Sequence, residues 1–464
     1  MYRVKQKLWG GAFSKGPDEL AWSFGQSIDS DVALWRQEIH VSIVHAQMLG
    51  GRGIIPTPDA QAIVDGLRAI EEEADEKGVS VFPADSEDIH AAIEGLLKQR
   101  IGDAADKLHA GRSRNDQIAT VTRVWLRTAC DGVVANILVL QKQLIDLGEK
   151  HKGDPMPGFT HMQSAQPVTL GFHLMAYFWM LQRDVVRLRQ VVLNANKSPL
   201  GSAALAGTSL PIDRMGTAMA LGFEGPMENA LDATSDRDFV GDALHACVTL
   251  MQHLSRLSQE LALWSTPAYG FVKLGEEFTT GSSIMPQKRN PDMAELIRGR
   301  SARVIGHWTA FMSMMKALPL GYNRDQQEDK PPLFDSVQLC AESLQLSIGM
   351  LRTASFNTER MAAVAGDGFA AATGVAEAMV KEGMAFRSAH EATGKLVRKC
   401  EERGITLSDL TPEDLDGLPP SILKATSVQA SIASRNSYGG PALEAMDQQV
   451  AEAKALLANR AQQQ

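Results

Sequence analysis

The chain has 464 residues, 44% hydrophobic and 22% charged. That balance excludes disordered and fibrous classes, and the length leaves room for roughly three compact units. Its 46 basic and 55 acidic residues give a formal charge of -9, which argues against broad attraction to nucleic acid or an anionic membrane, so any anion must be held in a local cationic pocket. Cys130, Cys247, Cys340 and Cys400 form no CxxC pair and signal neither a zinc site nor a disulfide framework.

The first residues, MYRVKQKLWGGAFSKGPDE, lack the apolar core of a signal peptide, and no uninterrupted apolar run reaches bilayer length. A cytoplasmic protein is expected. Residues 1–112 read as short helices broken by GGRGIIPTPD and GVSVFPADSED. Within them SEDIHAAIEG, 86–95, starts a helix with His90 and Glu94 one turn apart; its plainest reading is a surface helix with an ordinary ion pair.

HAGRSRNDQ, 109–117, opens a proline-free helix predicted from about 115 to 151, around 50 Å long. Ser113 and Asp116 fit a capping pattern. Arg114 and Asn115 then occupy the first turn, where a cation is mildly disfavoured, so the stretch points as readily to an anion site as to a plain cap. PGFTHMQSAQP, 157–167, is a connection carrying Thr160 and His161, and a histidine there is either a bystander or a general acid or base. A second long helix is predicted over 167–197 with Pro167 in its first turn, and a third over 236–266.

GSSIMPQKRNPD, 281–292, breaks this helical pattern. Gly281, Ser282 and Ser283 permit bending, while Lys288 and Arg289 converge on a fresh helix start with Asn290 as N-cap and Pro291 at the first helical position. A connector does not need that cationic cluster, so anion binding is the better reading. LGYNRDQQEDKPPLFDS, 320–336, adds Tyr322, Gln327 and Lys330 before a fifth long helix predicted over about 334–353. Beyond 358 the chain is again short-helical, broken by TLSDLTPEDLDGLPPSI.

The expected architecture is therefore mainly α, with residues 1–112 as a short-helix domain, 113–358 as a central long-helix bundle and 359–464 as a small helical domain. Helices this long, apolar over much of their circumference, imply packing against other subunits, most simply with dihedral symmetry. No Walker, dinucleotide, HExxH or nucleophile-elbow pattern occurs, and the suggested chemistry requires no metal and no cofactor.

Taken together, GSSIMPQKRNPD resembles the signature of the fumarase and aspartase superfamily. KLWGGAFS, SEDIHAAIEG, AGRSRNDQ, THMQSAQP, SPLGSAALAGT, SDRDF and YNRDQQEDK resemble the argininosuccinate lyase family in order and spacing. Met162, Ser164, Arg289 and Gln326 depart from the usual pattern. The resemblance implies reversible anti elimination of argininosuccinate to arginine and fumarate by a homotetramer whose sites are shared between subunits. It implies that Ser282 abstracts the carbon-bound proton, where bare chemistry would choose His161. Lys288 would supply charge, and Glu295 would orient His161. It places Asn115, Thr160, Lys288 and Asn290 on the fumarate half and Ser27, Tyr322, Gln327 and Lys330 on the arginine half. Asp29, His90, Arg114 and Arg237 take supporting roles. Another fumarate-releasing lyase, such as adenylosuccinate lyase, or a crystallin-like structural protein is the alternative.

Overall fold

The computed structural model describes residues 18–461, so the KLWGGAFS stretch and the last three residues lie outside it. The architecture is mainly helical. It begins with α1 (Glu19–Gly25), α2 (Ile28–Asp31), α3 (Trp35–Gly51), α4 (Thr57–Lys77) and α5 (Ile89–Ile101). The long α6 (Arg114–Lys150) leads through an antiparallel hairpin, β1 (Pro155–Thr160) and β2 (Gln163–Thr169), into α7 (Leu170–Asn194). After the short α8 (Arg214–Ala220) and α9 (Ala230–Ser235) come the long α10 (Asp238–Trp264), α11 (Asp292–Met315) and α12 (Lys330–Thr353). The chain ends with α13 (Thr358–Gly366), α14 (Ala372–Lys381), α15 (Phe386–Arg403), α16 (Val428–Ala433) and α17 (Leu443–Ala461).

The long helices follow from their apolar spacing. Along α6, Leu126, Val133, Ile137, Leu140 and Leu144 form a buried stripe at three-, four- and seven-residue intervals, as a 3.6-residue period requires. Three boundaries differ from expectation. Pro167 belongs to β2, opposite Pro157, and α7 starts only at Leu170. A proline lacks the N–H that a central strand needs, but a two-stranded ribbon leaves outward-facing positions where none is required. Helix α12 starts at Lys330, before Pro331 and Pro332, because the first turn has no use for their missing donors. Helix α11 starts at Asp292, since Asn290 instead pairs its backbone with Thr280 across the neck of the preceding loop.

The described residues divide into two compact units: those up to 133 with 186–248 and 303–340, and 134–185 with 249–302 and those from 341 on. Each takes part of every long helix, whereas the sequence partition at 112 and 358 falls between helices. The first unit has a core of α3, α4 and α5 in which Leu34, Ile39, Leu49, Ile63, Leu67 and Leu97 are fully buried. The second contains a smaller core built on α14 and α15 around Val375, Met379, Ala389 and Cys400.

Apolar side chains nevertheless stay exposed on α6 (Val139, 54%), α7 (Val186, 58%; Leu193, 63%) and α11 (Met312, 50%). Helix α6 also contains a stretch whose length and composition suffice to cross a membrane, with a mean hydropathy of 1.2. That is a matter of length and composition alone and carries no membrane assignment. A core helix has the same composition, and α6 carries the buried Asp116, Gln117 and Arg123.

One close approach holds the hairpin region. A Cβ on Gly171, at the start of α7, would lie 2.3 Å from the carbonyl oxygen of Gly148 on α6. Gly171→Ala is expected to lower thermal stability by about 1–3 kcal/mol through overpacking, read as a fall in Tm.

Candidate active site

In the first unit the polar side chains of SEDIHAAIEG and HAGRSRNDQ turn inward. His90 is fully buried and its Nδ1 meets Glu38 of α3 at 2.5 Å. Glu38 also accepts from the Ser42 hydroxyl at 2.7 Å and from the Gln117 amide, so α3, α5 and α6 share one carboxylate. Burial alone would raise the Glu38 pKa, but the His90 ring, Arg112 and Ser42 together bring it down to about 2. Glu94, expected to pair with His90, instead faces Arg112 at 3.4 Å and Arg114 at 3.2 Å. The reason is geometric: residues four apart on α5 share a face, and that face is buried against α3 and α6, which bring stronger partners.

Arg114 is therefore no free cation awaiting an anion. Its guanidinium bonds Asp88 at 3.3 Å and Glu94 at 3.2 Å and donates to Gln117 at 2.8 Å. Asp116 closes the cap by accepting from Ser113 N–H at 2.8 Å, and its second oxygen accepts from Gly201 and Ala203 N–H at 2.9 and 2.7 Å. Burial outweighs those three bonds and lifts its pKa to about 6. The loop at SPLGSAALAGT is thereby tied beside Asn115, whose side-chain amide donates to the Ala204 carbonyl at 3.0 Å.

The residues assigned to the arginine half also gather in this unit. Ser27 donates to Asp31, a buried carboxylate whose pKa is raised by burial against the opposing pull of Lys330. Lys330 is buried and meets Asp329 at 3.0 Å. Burial works against its charge, but Asp329 and Asp31 more than offset this and hold its pKa above the ordinary value. Asp329 in turn receives Arg237 Nε at 2.6 Å, with neither side chain exposed. Tyr322 lies within electrostatic range of Lys330, Asp329 and Arg237, and burial raises its pKa. Gln327 offers its backbone carbonyl to Lys330 at 3.3 Å, and Asp29 is exposed nearby on a shallow hollow lined by Trp35, Pro331 and Phe334. Sequence reasoning missed Asp31, Glu38, Arg112, Gln117 and Asp329. Four carried a local sign: Asp31 stands one turn after Ser27, Arg112 and Gln117 lie within HAGRSRNDQ, and Asp329 adjoins Lys330.

The second unit holds the remaining candidates. Residues 281–289 form a loop whose neck is closed by the Thr280–Asn290 backbone bridge, at 2.8 and 3.1 Å. Inside it Ser282 Oγ accepts N–H bonds from Met285 at 3.1 Å and Ile284 at 3.4 Å. Asn290 directs its amide at the Gly281 carbonyl, 3.4 Å away, and Lys288 is exposed. Arg289 pairs with Glu276 at 2.8 Å. Thr160 and His161 sit at the exposed tip of the β1–β2 hairpin. Glu295 lies on α11 with its carboxylate 3.6 Å from Arg298, and among the described residues no bond joins it to His161. Nor do the described residues contain a group of three or more His, Cys, Asp or Glu side chains arranged to hold a metal ion.

The candidates thus fall into two sets, one per unit. A family profile described as lyase matches residues 11–306, and one described as argininosuccinate lyase C-terminal matches residues 369–437. Over 97% of its length the chain is 46% identical to the whole argininosuccinate lyase of Carboxydothermus hydrogenoformans. The chain belongs to the argininosuccinate lyase family. A second family member, the argininosuccinate lyase of Methylococcus capsulatus, is 46% identical with 98% of each chain covered. Among solved structures, an EDDS lyase in complex with formate is 27% identical with a TM-score of 0.83, covering 96% of this chain and 91% of that one. A class II fumarase from Schistosoma mansoni, 17% identical with a TM-score of 0.71 over 85% of this chain and 91% of its own, shares the fold.

Glu38→Gln removes the charge opposite His90 and Arg112 and is expected to cost about 3–5 kcal/mol in denaturant unfolding, as for other broken buried pairs. Because the folded-state pKa of Glu38 lies below the ordinary glutamate value of 4.5, its contribution is full above that pH and is lost as pH falls toward about 2. Wild-type stability should decline across this window more steeply than that of the variant.

Proposed function

We propose that the protein is an argininosuccinate lyase that cleaves argininosuccinate reversibly to L-arginine and fumarate, a step of arginine biosynthesis. The observation that carries the reading is the 46% identity over nearly the full length, with both family profiles in register. The chemical problem is to remove a weakly acidic proton beside a carboxylate. The electrons left behind load that carboxylate as a dianion before they form the double bond and expel the guanidino nitrogen. Preorganised donors lower such a barrier more than any other single device.

Ser282 Oγ takes the proton. A serine hydroxyl is a poor base unless its alkoxide is stabilised, and the Met285 and Ile284 amides aimed at Oγ supply donors for that charge. Lys288 and the start of α11 add positive potential for the loaded carboxylate. Asn115, Thr160 and Asn290 hold the fumarate half. His161 returns a proton to the departing guanidino nitrogen. Ser27, Tyr322, Gln327 and Lys330 hold the arginine half; His90 and Arg114 fix the α5–α6 scaffold, Arg237 fixes Lys330 through Asp329, and Asp29 supports at the rim.

The enzyme is a cytoplasmic homotetramer in this reading. Each site is completed by other copies, which would also cover the exposed apolar residues of α6, α7 and α11. The Glu295–His161 contact that the resemblance implies is not made within one copy, and we assign it between copies.

Purified protein incubated with argininosuccinate should release fumarate, followed by ultraviolet absorbance, while adenylosuccinate, malate and aspartate should not react. Absence of fumarate at high enzyme concentration contradicts the reading. Ser282→Ala should lower kcat by orders of magnitude, roughly 10³-fold, with the assembly intact; near-normal turnover would return the base to His161. Sedimentation should show a tetramer, and a monomer would remove the shared site.

A further inference from the structure

The tip of the β1–β2 hairpin is a two-residue turn, since Thr160 pairs with Gln163. In the type I′ form of such a turn both central positions have positive φ, which is why Asn-Gly and Asp-Gly dominate it. Here the two positions are His161, with φ 54°, and Met162, with φ 60°. Histidine is among the side chains that enter this region more readily, but an unbranched apolar residue gains nothing from it. Burial does not compensate, because Met162 is 66% exposed. A glycine would satisfy the turn more easily.

The base of the hairpin, by contrast, is held firmly. Phe159 stacks edge-on against Tyr269 with ring centroids 5.9 Å apart, β1 packs on α13, and β2 packs on α16. The ladder therefore imposes positive φ on the tip, and the residue at 162 decides how wide a range of left-handed backbone the tip can sample. For any residue with a Cβ that range is a small well, whereas for glycine it is broad.

We propose that Met162 is a positioning residue: its Cβ confines the tip to one narrow backbone well and so fixes the direction in which His161 presents its ring to the departing nitrogen. The proposal rests on the reading of His161 as the proton donor. It explains why an unfavourable residue occupies a turn that glycine would fill better, since strained backbone kept next to a reacting group is a recognised form of preorganisation.

The test uses the full-length enzyme in three variants. Met162→Gly should keep or raise Tm, lower kcat by roughly tenfold or more through misorientation, leave KM unchanged and alter the limb of the pH–kcat profile that reports the acid. Met162→Leu, which retains the Cβ, should restore both kcat and the profile. A Met162→Gly enzyme with unchanged kcat and profile overturns the proposal, as does one whose Tm and kcat fall together. His161→Asn keeps a turn-compatible residue and removes the acid. Full activity in that variant defeats the reading of His161, and it does so independently of whether Met162→Gly changes turnover.

Discussion

The first unit depends on a single buried carboxylate. Glu38 sits in α3 with no exposure, and its two oxygens bind His90 from α5, Ser42 from its own helix and Gln117 from α6. An isolated charge in such a place would be prohibitive, and this one persists because three hydrogen bonds meet it and Arg112 lies close by. The consequence reaches the surface. With α5 and α6 locked to α3, Glu94 and Asp88 are positioned to grip Arg114, and Asp116 is positioned to hold the 201–203 backbone next to Asn115. Asn115, proposed to hold the fumarate half, thus owes its place to this network.

A second chain of charges, Arg237–Asp329–Lys330 with Asp31 and Ser27, does the same for the residues proposed to hold the arginine half. Buried ion pairs of this kind are weak evidence of stability but strong determinants of geometry, because a side chain held by two partners has few alternative rotamers. In the second unit the device differs. The 281–289 loop is closed at its neck and rich in exposed residues, with Ile284 84% exposed, so Ser282, proposed to abstract the proton, sits on an exposed loop, whereas Lys330 and Arg237 are buried. Such a division suits a loop that meets substrate and partner surfaces after binding has begun.

Much of this was legible in the residues. The long helices α6 and α10 match the predicted spans within two residues because their apolar period runs unbroken, and the glycine–serine–lysine loop was recognisable by its composition. The hairpin was not, since Pro155, Pro157 and Pro167 hide a strand pattern that a two-stranded ribbon tolerates. The inward turn of His90 and Glu94 was equally hidden, because the partners Glu38 and Arg112 lie 52 residues before and 18 residues after them. Periodicity reports which face is apolar, and it is silent on which distant charge will be buried there. Gln326 shows the same limit: it departs from an apolar pattern yet is buried, and its amide donates to the Ser235 carbonyl at 3.0 Å.

We propose that each active site draws its residues from more than one copy of the chain. Mixing two separately inactive proteins, Ser282→Ala and Lys330→Met, under conditions that let subunits exchange tests it directly. Sites that draw on different copies will pair an intact Ser282 loop with an intact Lys330 cluster in some hybrid assemblies, and fumarate release will return. If subunits exchange and the mixture stays inactive, the residues of each site come from one chain and the shared-site account is wrong.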